Sequence, residues 1–131
     1  MAEETLVESR ITDSIRLVRQ LDSQGDSPTN ALWYFYSDGE EWQFLLAGPS
    51  FDSLLPRNEE EAYKKIAAAI SNISLSSLSI ANVKLVRTDN ALLSATKFVV
   101  KTPPTGVVRA HYRDNMFNGV FVKEMLVLRA A

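Results

Sequence analysis

Among the residues able to do chemistry, one alternating trio stands out: Arg109-x-His111-x-Arg113. Successive side chains of a strand point to opposite faces, so alternation puts these three on one face. Two guanidiniums and an imidazole so placed would hold a phosphate or a carboxylate-rich partner, making this a candidate anion or nucleic-acid site. Lys97 and Lys101 lie close enough in sequence to extend it. The competing role is protective, because charges along an edge strand keep it from pairing with other chains. Phe117 is the only aromatic that alternation interleaves on that face, and base stacking asks for more. The protective role is the stronger expectation.

Other chemistries are excluded by what the chain lacks. With no Cys, it has no disulfide, thiolate ligand or Cys nucleophile, and with a single His it has no paired-imidazole site. There is no Gly-x-Ser-x-Gly elbow, and Gly48-Pro49-Ser50 lacks its spacing. The five glycines stand alone at 25, 39, 48, 106 and 119, so no glycine-rich phosphate loop forms. No carboxylate is followed two residues later by Lys, the arrangement that metal nucleases use to hold Mg²⁺ and orient water. Glu59-Glu60-Glu61 is acidic, but at a helix start the macrodipole accounts for it. No catalytic residue, metal site or cofactor is expected.

These residues sit in a chain of 131 residues and 14.6 kDa, 46% apolar and 23% charged. That is the composition of a soluble globular chain, and the length suits one domain, residues 1–131, with a core that needs no staples.

The apolar spacing of Val7, Ile11, Ile15, Val18 and Leu21 predicts a helix over 4–23, closed by Gly25 and Pro28. Aromatic runs on either side of Asp38-Gly39 predict a hairpin of 31–36 with 41–47. With Ser37 opposite Glu40, Phe35 pairs with Trp42 and Trp33 with Phe44. The four large aromatics then share one face with Ala31 and Leu46, to be packed against the first helix. Leu32, Tyr34, Tyr36, Glu41, Gln43 and Leu45 occupy the other.

A second helix is expected over 59–73, with Asn58 and Glu61 as a capping box, an inward stripe of Ala62, Ile66, Ala69, Ile70 and Ile73, and ion pairs Glu60–Lys64 and Glu61–Lys65. Residues 80–86 read as a third strand. Thr88 or Asp89 would cap a third helix over 90–101 with Leu92, Ala95 and Val99 inward. Asn118-Gly119 is a type I′ turn signal in a closing hairpin over 106–129. Its register sets Arg113 opposite Glu124 and Asp114 opposite Lys123. The last strand is apolar on both faces and should be central; the one before it should be an edge.

The order α-β-β-α-β-α-β-β gives an α+β fold with a mixed sheet of about five strands, built from two hairpins and one strand, and three helices. Strands two to three and three to four are joined by connections long enough for parallel crossovers. Trp33–Tyr36, Trp42–Ala47, Lys84–Leu92 and Phe117–Arg129 together resemble small uncharacterised bacterial α+β proteins. The resemblance is one of fold and implies no activity.

Charge is unevenly spread: residues 1–65 carry 13 acids and 6 bases, residues 66–131 carry 3 and 8. Such halves can pair between copies, and Tyr is well suited to interfaces because it joins apolar area to a polar tip. The function expected is a non-enzymatic protein-interaction or self-assembling module, a homodimer or a partner of another protein, with Tyr34, Tyr36 and Gln43 as contact residues. Nucleic-acid or phosphoanion binding through Arg109, His111 and Arg113 is the alternative. The acidic, apolar-poor start is no signal peptide, and no run approaches the roughly 18 apolar residues of a membrane helix, so the expected location is the cytoplasm.

Overall fold

The computed structural model describes residues 6–36 and 38–131. It is an α+β fold: a five-stranded mixed sheet of β1 (Asn30–Tyr36), β2 (Glu41–Ala47), β3 (Val83–Leu85), β4 (Ala110–Phe117) and β5 (Val120–Ala130), ordered β3-β2-β1-β5-β4. The helices are α1 (Glu8–Ser23), α2 (Pro49–Asp52), α3 (Glu59–Ser71) and α4 (Ala91–Thr96). The central place of β5 and the edge place of β4 are as its apolar faces and β4's polar one require.

The first hairpin has the expected register, with Trp33 opposite Phe44, Phe35 opposite Trp42 and Ala31 opposite Leu46. Its turn reaches left-handed backbone at Glu40 (φ 51°); the expected Ser37–Glu40 pairing lies outside the described residues. Trp33, Phe35, Trp42 and Phe44 are buried on one face with Ile11, Leu17, Val18 and Leu21 of α1 and Ala62, Ile66 and Ala69 of α3. Trp33 Nε1 donates to Ser14 Oγ at 3.0 Å, which satisfies the one polar atom of the largest core side chain. The second face buries Leu32, Leu45, Met125 and Val127 with Leu93 of the short α4.

Several local expectations are overturned. Val7 is the residue before α1 and is 46% exposed rather than inward; residues 4 and 5 of the expected helix lie outside the described residues. Asn58 makes no side-chain cap, and Glu61 instead pairs with Lys64 at 3.1 Å. Lys65 reaches Asp26 at 3.2 Å, so the two pairs expected between α3 residues four apart give way to a closer neighbour and a tertiary partner. Residues 80–82 form a 3₁₀ turn before β3, because Asn82 Oδ1 accepts from the Ser79 N–H at 2.9 Å and closes the chain locally.

α4 ends at Thr96, well short of 101. Its cap is Asn90, whose side chain accepts from the Leu92 N–H at 2.9 Å, while Thr88 is held by Asp52 and Asp89 by Arg87. Leu93, Ala95 and Thr96 point inward, whereas Val99 is 42% exposed in a run of turns, where the N–H groups of Phe98, Val99 and Val100 still bond to the carbonyls of Ala95 and Thr96. β2 to β3 is the expected parallel crossover. β3 to β4 is not: β4 is antiparallel to β5, β5 to β1 and β1 to β2, so β4 runs against β3 from the opposite edge.

The second hairpin turns at Asn118 (φ 45°) and Gly119 (φ 82°), the two left-handed positions of a type I′ turn. Arg113 lies opposite Glu124 as expected. At Asp114 the backbone also enters the left-handed region (φ 50°), and the ladder lapses between Arg113–Glu124 and Asn115–Val122. The register is the same on both sides of that lapse, so Asp114 and Lys123 keep the expected opposing positions, while the alternation of β4 inverts beyond it. Phe117 therefore leaves the face of His111 and Arg113 and packs with Tyr112 on the other.

Candidate functional site

The basic trio comes together at the edge of the first face, and every member meets a carboxylate. Arg109 Nη1 donates to both oxygens of Glu8, at 2.6 and 3.0 Å. His111 Nε2 lies 2.7 Å from Glu124 Oε2, and Arg113 Nη2 donates to the same oxygen at 3.1 Å. β4 supplies the two bases at alternate positions, and β5 presents Glu124 directly across from Arg113. Glu8 arrives from the first turn of α1, where a carboxylate also suits the helix dipole. A basic strip offered to phosphate is thus, in the fold, an alternating ionic rim. Lys97 and Lys101 are exposed elsewhere, and Lys97 borders a separate cleft with Asp52 and Thr88.

Behind that rim the described residues leave the first face incompletely roofed. A crevice of about 260 Å³ opens there. Among the described residues its floor is apolar, made by Leu6 just before α1, Ile11 of α1, Trp42 of β2 and Leu126 of β5. His111, Arg113 and Glu124 form its polar wall. Glu124 exposes only 13% of its side chain while Arg113 exposes 65%, so the carboxylate is the buried hub and the guanidinium the outward arm.

Tyr34, Tyr36 and Gln43 lie on the second face, all half-buried. Tyr34 and Tyr36 meet edge to face with centroids 4.8 Å apart, and Lys84 Nζ stands 5.2 Å from the Tyr36 ring centre. Gln43 Nε2 donates to Glu41 Oε1 at 3.3 Å. Burial, reinforced by the neighbouring Tyr36, pushes the Tyr34 hydroxyl pKa up.

Sequence reasoning set Glu124 opposite Arg113 but missed that the same carboxylate also meets His111. It also missed the exposed cross-strand pair Met116 and Phe121, 63% and 54% exposed. The lapse at Asp114 turns both onto the side away from Phe117, and the positive φ of a lone Asp leaves no pattern in sequence. Among the described residues no three or more of His, Cys, Asp and Glu are grouped to hold a metal. Nor is any helix among them long and apolar enough to cross a membrane.

No family, curated protein or solved structure matches the chain.

Proposed function

We propose that this chain is a non-enzymatic cytoplasmic module that self-associates through the second face of its sheet. The observation that carries the reading is the unequal cover of the two faces. Among the described residues two long helices, α1 and α3, roof the first, whereas the second has the six-residue α4. That helix covers Leu32, Leu45 and Val127, and Tyr34, Tyr36 and Gln43 beyond it remain half-exposed. Paired aromatic rings bordered by polar groups are the usual make-up of a contact surface. Exposed Lys84 and Glu41 flank the patch, so each copy offers both charge signs to a two-fold related partner.

Phosphoanion or nucleic-acid binding by Arg109, His111 and Arg113 is the weaker reading, because Glu8 and Glu124 face those groups. Light scattering and a nucleic-acid titration at two salt concentrations distinguish the two. Self-association yields a dimer, which Tyr34→Ser with Tyr36→Ser converts to monomer, and no measurable nucleic-acid affinity. A monomer that binds nucleic acid with steep salt dependence, its slope reduced by about one for each of Arg109→Ala and Arg113→Ala, overturns it.

A further inference from the structure

We infer that Asn118-Gly119 is a spontaneous modification site, where water converts the Asn118 amide to a carboxylate and leaves part of the population with an isoaspartyl linkage. The pair forms the tip of the β4–β5 hairpin. It involves neither Tyr34 nor Tyr36, so the inference is independent of the self-association reading.

The chemistry needs this residue pair and water alone. When the Gly119 backbone N–H gives its proton to hydroxide, the nitrogen attacks Cγ of Asn118. A bond forms between that nitrogen and Cγ, the Cγ–Nδ2 bond breaks, and Nδ2 takes up a proton and leaves as ammonia. The product is a five-membered cyclic imide. Water then opens the imide at either of its carbonyls. Breaking the bond from nitrogen to Cγ gives Asp in an ordinary backbone. Breaking the bond from nitrogen to the Asn118 carbonyl carbon leaves a main chain that runs through Cβ and Cγ. One water is taken up and one ammonia is lost, with no oxidant or reductant.

Three observations single out Asn118. The first is its neighbour, because a side chain on the attacking residue would crowd Cγ and Gly has none. Among the described residues no atom lies within 4 Å of a Cβ built on Gly119, so the space around the nitrogen is open. The second is the setting. Both residues are exposed and both are left-handed, at φ 45° and 82°. Ring closure requires Asn118 to rotate out of that turn, so the opened tip is the reacting form. Opening it disturbs little apolar packing, since the flanking Met116 and Phe121 are 63% and 54% exposed. The third is the state of the other asparagines. None is followed by Gly. The side chains of Asn72, Asn82, Asn90 and Asn115 each bond a backbone group, and Asn30 is 1% exposed.

The isoaspartyl product carries one more methylene in its main chain, which a two-residue type I′ turn cannot hold. The Phe117–Val120 pairing next to the turn should then be lost, while Ala110 and Val127 at the far end of the ladder stay paired.

The test is prolonged incubation of the full chain at neutral pH and body temperature, followed by mass spectrometry of protease fragments. Enzymatic methylation of isoaspartyl groups is measured on the same fragments. The fragment holding Asn118 should gain one dalton at least about tenfold faster than a fragment holding any other Asn, and it should accept methyl groups. Asn118→Gly keeps a residue suited to left-handed backbone but removes the amide, and its fragment should show neither change. Asp38-Gly39 has the same spacing, but isomerisation there leaves the mass unchanged and falls in a separate fragment. A peptide of residues 115–122 gives the rate without the fold. The inference is overturned if the folded chain gains no mass at Asn118 while half of the peptide is converted, or if another Asn reacts first.

Discussion

Tyr112 and Phe117 pack edge to face with ring centroids 5.2 Å apart, although both belong to β4 and lie five positions apart. Regular alternation would put positions an odd number apart on opposite faces. The contact exists because Asp114 adopts left-handed backbone and inverts the alternation beyond it. Phe117, Val120 and Val122 thereby join the second-face core, while Met116 and Phe121 turn outward on the other side.

Asp114 should accordingly accept Gly without loss and resist β-branched residues. Left-handed backbone costs an ordinary residue about 1–2 kcal/mol, and Asp tolerates it better than most. Asp114→Gly should leave the unfolding midpoint unchanged or raised, and Asp114→Val should lower stability by about 1–2 kcal/mol. Equal stability of the two variants in urea would show that the inversion does not depend on this residue.

Trp42 is 3% exposed and faces Phe35, with ring centroids 5.4 Å apart. Truncation removes a large aromatic from a roofed face and leaves a void that the sheet cannot close. Trp42→Ala should cost about 3–5 kcal/mol in chemical denaturation. A loss below about 1 kcal/mol would mean that the ring is dispensable to the core, as surface positions are.

Gly119 is the second left-handed residue of the closing turn, with φ 82°. A Cβ added there would meet nothing within 4 Å, so any penalty is conformational and not steric crowding. Gly119→Val should therefore destabilise the chain by at least about 1 kcal/mol, and Gly119→Asn by clearly less, because Asn enters the left-handed region more readily. Comparing the melting temperatures of the pair checks this; identical values would argue against a type I′ turn.

How much of this was legible depends on whether a feature is local. The first hairpin could be read because two independent signals, Asp-Gly and the alternation of Trp33, Phe35, Trp42 and Phe44, agree on one register. The third helix misled at both ends: Asn90 captures the start, and beyond Thr96 the chain unwinds through turns closed on the Ala95 and Thr96 carbonyls. The candidate site was half legible. Alternation placed His111 and Arg113 together, but nothing in their spacing shows that Glu8, 101 residues before Arg109, folds back onto it. The buried Arg129 had a usable signal, since a cation following the apolar run Met125–Leu128 demands a carboxylate. It finds Asp22 through two parallel hydrogen bonds of 2.8 and 2.9 Å.

The last expectation concerns acid. Asp13 is 2% exposed on α1, and its Oδ2 accepts three consecutive backbone N–H groups, from Ser76, Ser77 and Leu78, at 2.9, 2.6 and 2.9 Å. Burial by itself would raise the pKa of this carboxyl. The N–H groups, Ser77 first, and then the Arg16 charge outweigh it, and the value falls below the ordinary 3.8. Asp22, held by Arg129, and Asp26, held by Gln24 and Lys65, are lowered in the same sense against the same burial. A carboxyl whose pKa is depressed on folding contributes stability that is fully present above its unfolded value. That contribution disappears as pH falls through the folded value. The chain should therefore hold its stability from neutrality down to about pH 5, then lose it steeply below about pH 4. Asp13→Asn removes the charge but leaves an oxygen facing the connector between α3 and β3. It should cost about 1–3 kcal/mol at pH 7, and it should make the acid limb shallower because one titrating group is gone. Urea midpoints measured from pH 7 to pH 3 on both chains check the claim. Parallel acid limbs would show that Asp13 is not among the carboxylates whose protonation unfolds the protein.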